Sequence, residues 1–90
     1  MCFEFDIAKS ISNKKKHGID FTEAQVLWDD PEMIQLPAKH TDEPRYLTIG
    51  KINNLHWSAI VTFREDKIRI ISVRRSRTKE IALYESYWFR

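Results

Sequence analysis

The sequence predicts a single α+β domain: a small, mostly antiparallel sheet with two N-terminal helices and one C-terminal helix, in the order β-α-α-β-β-β-β-α. Three observations carry this expectation. Leu55 to Arg64 alternates cleanly, with Leu55, Trp57, Ala59, Val61 and Phe63 on one face and His56, Ser58, Ile60, Thr62 and Arg64 on the other. Two stretches ahead of it carry helix start and stop signals. The chain of 90 residues is long enough for one hydrophobic core and no second, so residues 1–90 are read as one domain whose site is a surface.

Phe3-Glu4-Phe5 alternates as a short strand, and Asp6 then offers a carboxylate to the free amides of a helix starting at Ile7. Ile7, Ala8 and Ile11 are expected to form its apolar stripe, and Gly18 supplies the left-handed residue that ends it. Lys14, Lys15 and Lys16 suit its C-terminal dipole. A second helix is expected after Thr22 and Gln25, which have the spacing of a capping box, with Phe21 and Val26 as a hydrophobic staple. Phe21, Ala24, Leu27 and Trp28 follow its period, and Asp30-Pro31 stops it, giving a helical hairpin.

Met33, Ile34 and Leu36 read as a short strand that Pro37 confines to an edge or ends. Residues 38–44 form a polar loop, Arg45 to Ile49 a strand closed by Gly50, and Asn53-Asn54 a turn. Glu65-Asp66-Lys67 connects the Leu55 strand to the Ile68 strand, so Arg64 and Arg69 lie near one turn while Arg74 and Arg75 lie at the opposite end. Ser76 or Thr78 caps a last helix on which Ile81, Tyr84 and Trp88 share a face. Trp57 and Tyr84 fit the core, whereas Trp88 and Phe89 are large apolar residues suited to cover by a partner.

Apolar residues make up 42% of the chain, with two glycines and three prolines, which excludes low complexity and disorder. A single cysteine, Cys2, rules out a disulfide framework or a thiolate metal cluster and points to a reducing compartment, the cytoplasm. No signal segment or membrane-spanning run is expected.

Charge is unevenly distributed. Residues 64–90 hold eight Lys and Arg against four Asp and Glu, a net of +4, while residues 1–63 hold seven against nine, a net of −2. Arg74, Arg75, Arg77 and Lys79 follow a buried strand of Ile70, Ile71 and Val73, so they emerge together where it leaves the core. Such a cluster is either a phosphate-sized site or a solvated strand end neutralised by Glu80 and Glu85.

Phe3-Glu4-Phe5-Asp6, Ala8-Lys9, Asn13, Lys16-His17-Gly18-Ile19-Asp20-Phe21, Glu23-Ala24 and Asp29-Asp30-Pro31 resemble successive blocks of the BrnT toxin family. Glu43, Arg45-Tyr46, Ile49-Gly50, Thr62, Arg64, Ile68 to Arg75, Thr78-Lys79-Glu80 and Tyr84-Glu85 continue the resemblance in order. Pro44 departs from the family's usual approach to Arg45. The resemblance implies a RelE-like fold and the toxin of a type II toxin–antitoxin pair, a cytoplasmic ribonuclease that cuts RNA and suppresses translation. It also implies a BrnA-like ribbon-helix-helix antitoxin that silences the nuclease, operator DNA bound only through the antitoxin complex, and a dimer of heterodimers.

Metal-independent RNA cleavage needs a base for the 2′-hydroxyl, cations for the phosphorane and an acid for the leaving 5′-oxygen. Arg64 and Arg74 are the candidate cations, and His17 and Glu43 the candidate acid and base. Lys16, Arg45, Arg75, Arg77 and Lys79 are the candidate phosphate-binding residues. Each has a plainer reading: His17 and Lys16 suit a helix C-terminus, and Glu43 can pair with Arg45. His40 and His56 read as solvated. No cofactor is expected, and a metal site of His17, His40, His56 and Asp42 lacks ligand spacing. The alternative function is a non-catalytic module that binds RNA or antitoxin in operon autoregulation.

Overall fold

In the computed structural model, which describes residues 1–39 and 42–87, five strands form one mixed sheet flanked by two α-helices and a 3-10 helix. The order along the chain is β1 (Cys2–Glu4), α1 (Ile7–His17), a 3-10 helix (Glu23–Asp29), β2 (Ile34–Ala38), β3 (Arg45–Ile52), β4 (Leu55–Arg64), β5 (Lys67–Arg75) and α2 (Thr78–Tyr87). In space the strands run β1-β5-β4-β3-β2, antiparallel except for β1, which lies parallel to β5.

One face of the sheet carries the main core. Trp57, Ala59 and Val61 of β4 and Ile68, Ile70 and Val73 of β5 pack against Ile19, Phe21, Ala24 and Leu27. Phe21 and Leu27 are fully buried, each contributing on the order of 1.5–3 kcal/mol of apolar transfer. The opposite face carries a smaller cluster of Ile34, Ile49 and Tyr84, with Leu36 and Leu47 beside it, so α2 covers only one end of that face. No helix among the described residues is long and apolar enough to cross a membrane.

Local signals set α1 as expected. The Asp6 carboxylate accepts from the Lys9 amide, and Gly18 closes the helix at φ 80°. Its buried side, however, is polar. Ser10 and Asn13 face inward, while Ile7 and Ile11 of the expected apolar stripe are 71% and 56% exposed and Ala8 is exposed too. The reason is a set of backbone groups that need partners. β1 pairs with Lys67 to Arg69, and among the described residues no strand lies beside the rest of β5 on that side. Asn13 fills that gap at one residue: its Nδ2 donates to the Val73 carbonyl and its Oδ1 accepts from the Val73 amide, at 2.9 and 3.2 Å. The same Nδ2 donates to the Ile19 carbonyl, and the Ser10 hydroxyl accepts from the Phe21 amide.

The second helical segment is a 3-10 helix, and its capping box stands two residues earlier than Thr22 and Gln25. Asp20 Oδ1 accepts from the Glu23 amide and Glu23 Oε1 accepts from the Asp20 amide, a reciprocal arrangement that Lys14 joins through its own bond to Glu23. The staple shifts with it: Ile19 and Ala24 are buried, whereas Val26 is 46% exposed. Gly50 does not close its strand but lies within β3, where an added Cβ would stand 3.0 Å from Leu27 Cδ2. Asn53 and Asn54, both at positive φ, make the β3–β4 turn. Pro37 sits within β2, which is an edge strand.

Between Val61 and Ile60 the β4–β5 register slips, so that Ile71 and Ser72 together oppose Ile60. This bulge returns Val73 to the core face and sets Arg74 on the other, opposite Ser58. At the start of α2, Glu80 rather than Ser76 or Thr78 holds the free amide, accepting from Arg77 N. Ser76 is engaged with the Ser58 hydroxyl. Trp57 and Tyr84 are both core residues, as expected; Trp88, Phe89 and His40 lie outside the described residues.

A candidate nucleic-acid interface

The candidate site lies on the sheet face that α2 only partly covers. Alternation and register place Ala38, Arg45, Thr62, Arg69 and Glu4 in one row across β2, β3, β4, β5 and β1. Arg64 and Lys67 pair in the next row. Four cations therefore gather at the end of the sheet remote from α2.

Compensation there is incomplete. Arg69 pairs with Glu4 at 3.0 Å, but Arg64 stands 3.6 Å from Glu43 with half of its side chain in solvent. Arg45 Nε is buried and meets no hydrogen-bond partner among the described residues. A buried guanidinium N–H without an acceptor costs about 1–3 kcal/mol, so this end of the sheet is suited to an oxygen-rich anion. Thr62 is fixed by donating to the Pro44 carbonyl, which ties the loop carrying Glu43 to the strand carrying Arg64. Glu43 thus stands by Arg64, and not by Arg45 as its plainer reading had it.

The other end of the same face is different. Arg74 donates from both terminal nitrogens to Glu80, at 2.7 and 2.8 Å, and Ser58 and the Arg77 amide donate to the same carboxylate. The Arg74 guanidinium above all, with those donors, draws the Glu80 carboxyl down to about 2. His56, expected in solvent, is half-buried, bonded to Glu85 at 2.7 Å and stacked edge-on against Tyr84. Lys51 shares Glu85, and the Tyr84 hydroxyl donates to Asp30 at 2.6 Å. Burial and the Asp30 carboxylate raise the Tyr84 hydroxyl pKa, so this contact persists across the physiological range. These bonds fasten α2 to the sheet.

A third feature is a groove between α1 and the bulged part of β5, lined by Lys9, Ser12, Asn13, Lys16, His17, Ile71 and Ser72.

The expected site residues therefore divide into groups. Arg45, Arg64 and Glu43 come together at the open end. Arg74 does not join them: it pairs with Ser58, six positions from Arg64 along β4 (58 to 64), or roughly 20 Å. The bulge changes which way Arg74 faces without closing that distance. Lys16 and His17 line the α1 groove. Arg75 turns to the core side of the sheet and lies over Trp57, 5.5 Å from the ring centroid, while Arg77 and Lys79 are exposed at the start of α2.

Arg69 and Lys67 carried no assigned role in the sequence, although a signal existed. Arg69 alternates with the apolar Ile68 and Ile70, which sends it to the face that Arg64 occupies on the neighbouring strand. The buried Arg45 Nε–H, without a partner among the described residues, had no such signal, because its environment depends on β2, β4 and the Pro44 loop.

Comparison with individual curated proteins gives no match. Comparison with family profiles matches residues 5–80 to a family described as the ribonuclease toxin, BrnT, of type II toxin–antitoxin systems. That span takes in α1, the whole of β2 to β5 and the opening of α2, including both ends of the sheet face described above. The chain belongs to the BrnT family of ribonuclease toxins of type II toxin–antitoxin systems.

Proposed function

We propose that this protein is a metal-independent endoribonuclease that cleaves RNA on the open end of its sheet, inhibits translation in the cytoplasm and is neutralised by a BrnA-like antitoxin. The observation that supports this most is the cation row of Arg45 and Arg69, flanked by Arg64, in which a buried Arg45 Nε–H lacks an acceptor among the described residues. The exposed half of the Arg64 side chain presents this row's positive charge to a scissile phosphate.

In this reading Glu43 takes the proton of the 2′-hydroxyl, and the 2′-oxygen attacks the adjacent phosphorus. Arg64 and Arg45 stabilise the charge of the phosphorane. The bond to the 5′-oxygen then breaks, leaving a 2′,3′-cyclic phosphate, and the departing oxygen takes its proton from water, because His17, one turn beyond the Asn13 that is bonded to Val73, lies in the α1 groove away from Arg64. Lys16, Arg69, Arg77 and Lys79 bind flanking phosphates, whereas Arg75, over Trp57 on the core side of the sheet, lies off that path. Arg74 acts as a positioning residue through Glu80 and α2.

The antitoxin is proposed to be a ribbon-helix-helix protein that brings two toxins together and carries the complex to operator DNA. The RelE-like assignment rests on the small sheet with one partly open face.

The test is induced expression of the wild type and of Arg64→Ala, following growth and bulk RNA with and without antitoxin. Growth arrest with RNA fragmentation, insensitive to chelator, lost in the variant and rescued by antitoxin, is expected. Intact RNA and unimpaired growth from a folded wild type would instead leave a non-catalytic RNA- or antitoxin-binding module.

A further inference from the structure

The groove between α1 and β5 contains cations that no carboxylate neutralises among the described residues. Lys9, Ser12 and Lys16 recur at the spacing of one helix face, and Ser72 and Ile71 of the bulge form the opposite wall. Lys14, on another face of the same helix, is bound to Glu23. Lys9 and Lys16 have no carboxylate partner among the described residues. The two lysines are two helical turns apart, about 10 Å.

Three properties of the groove select its ligand. Its lining is cationic and hydroxylic, with Ile71 the one apolar side chain, which suits a charged and hydrated chain better than an apolar segment. Its lining follows α1 over two turns, from Lys9 to Lys16, as a strand-tracking site requires. It also adjoins the cation row, because Ser72 stands opposite Ile60, two positions from Thr62 along β4, or about 7 Å.

We propose that this groove binds the phosphodiester backbone of single-stranded RNA beside the cleaved bond. Lys9 and Lys16 contact successive phosphates, and the Ser12 and Ser72 hydroxyls donate to the oxygens between them. The inference rests on RNA being the substrate, and extends it from one scissile phosphate to a path that leaves the sheet along α1. Contact is to the backbone, so it is indifferent to base sequence.

The experiment measures binding of the full chain to a 2′-O-methyl oligonucleotide, which cannot be cleaved because its 2′-oxygen is blocked. Affinity is followed against salt for the wild type, Lys9→Gln/Lys16→Gln and Lys15→Gln, the last removing a charge from α1 outside the groove. Loss of two phosphate contacts should make the log–log salt slope shallower by about 1.4, with Lys15→Gln keeping the wild-type slope. Ser12→Ala/Ser72→Ala should weaken binding about 25-fold at unchanged slope, about fivefold for each lost hydrogen bond.

A wild-type slope in the double lysine variant, or an equal change in Lys15→Gln, overturns the proposal. So does weakened antitoxin binding with unchanged oligonucleotide binding, which would assign the groove to the protein partner. Since the oligonucleotide is inert, a slope change with no RNA cleavage by the wild type would sink the nuclease reading and leave the groove standing.

Discussion

The two ends of one sheet face use arginine in opposite ways. At the α2 end, Arg74 meets a carboxylate through two short bonds, and that carboxylate accepts further from Ser58 and the Arg77 amide. At the far end, Arg64 stands 3.6 Å from Glu43, and Arg45 keeps a buried Nε–H without an acceptor among the described residues. A satisfied arginine fixes structure, whereas an under-satisfied one is held ready for an anion. Residue type does not distinguish them; partner count does.

Substitutions at the two ends should therefore fail in different assays. Arg64→Ala should lower RNA cleavage by about 10²–10³-fold, as losing one donor to a developing oxyanion does, with stability unchanged to about 0.5 kcal/mol in urea denaturation. Arg74→Ala should do the reverse in kind: stability falls by about 2–3 kcal/mol, because Glu80 is left partly buried without its cation. Equal loss of stability in both variants would erase the contrast between the ends.

Acid sharpens the comparison. Glu80 titrates at about 2 when folded and near 4.5 when free, so its contribution is fully present above about pH 4.5 and is lost as pH falls toward 2. The size is on the order of 2–3 kcal/mol. Glu80→Gln should be less stable at neutral pH and should show a flatter acid limb between pH 4.5 and 2 in thermal melts. An unchanged acid limb would show that other carboxylates govern it.

Smaller effects test the supports on either side of the sheet. Gly50→Ala should cost about 1–2 kcal/mol, since the new methyl would press on Leu27 within the core while Asp30, the Tyr84 acceptor, stands 3.4 Å away. Glu65 occupies positive φ in the turn beside Arg64 and Lys67, and Glu65→Asn should raise stability by about 0.5 kcal/mol without moving the α2 end.

The elements legible in the sequence are those set by near neighbours. Asp6 and Gly18 bound α1 because an N-cap and a left-handed C-cap act within one turn. Asn53-Asn54 makes its turn and β4 keeps its alternation for equally local reasons. The inward face of α1 was not legible, because the burial of Asn13 answers to Val73, sixty residues away in sequence. The bulge at Ile71 and Ser72 carries no glycine to announce it, so the facing of Arg74 could not be read from periodicity. The cap at Asp20 and Glu23 had the right spacing but lost to a neighbouring Thr22 and Gln25 pattern of the same form. Of the site, the cluster's neutralisation by Glu80 was readable as one alternative, whereas the gathering of Arg45 with Arg69 required the strand order.

Asn13 has one more consequence, for the behaviour of many copies together. By donating to and accepting from one residue of β5, its amide does what a neighbouring strand would do, so that stretch offers less to a second chain seeking to extend the sheet. At the opposite margin, Pro37 in β2 lacks an N–H to offer. The two margins that could seed sheet-to-sheet growth are thus each blunted by a single side chain, a safeguard against self-association that requires neither bulk nor charge.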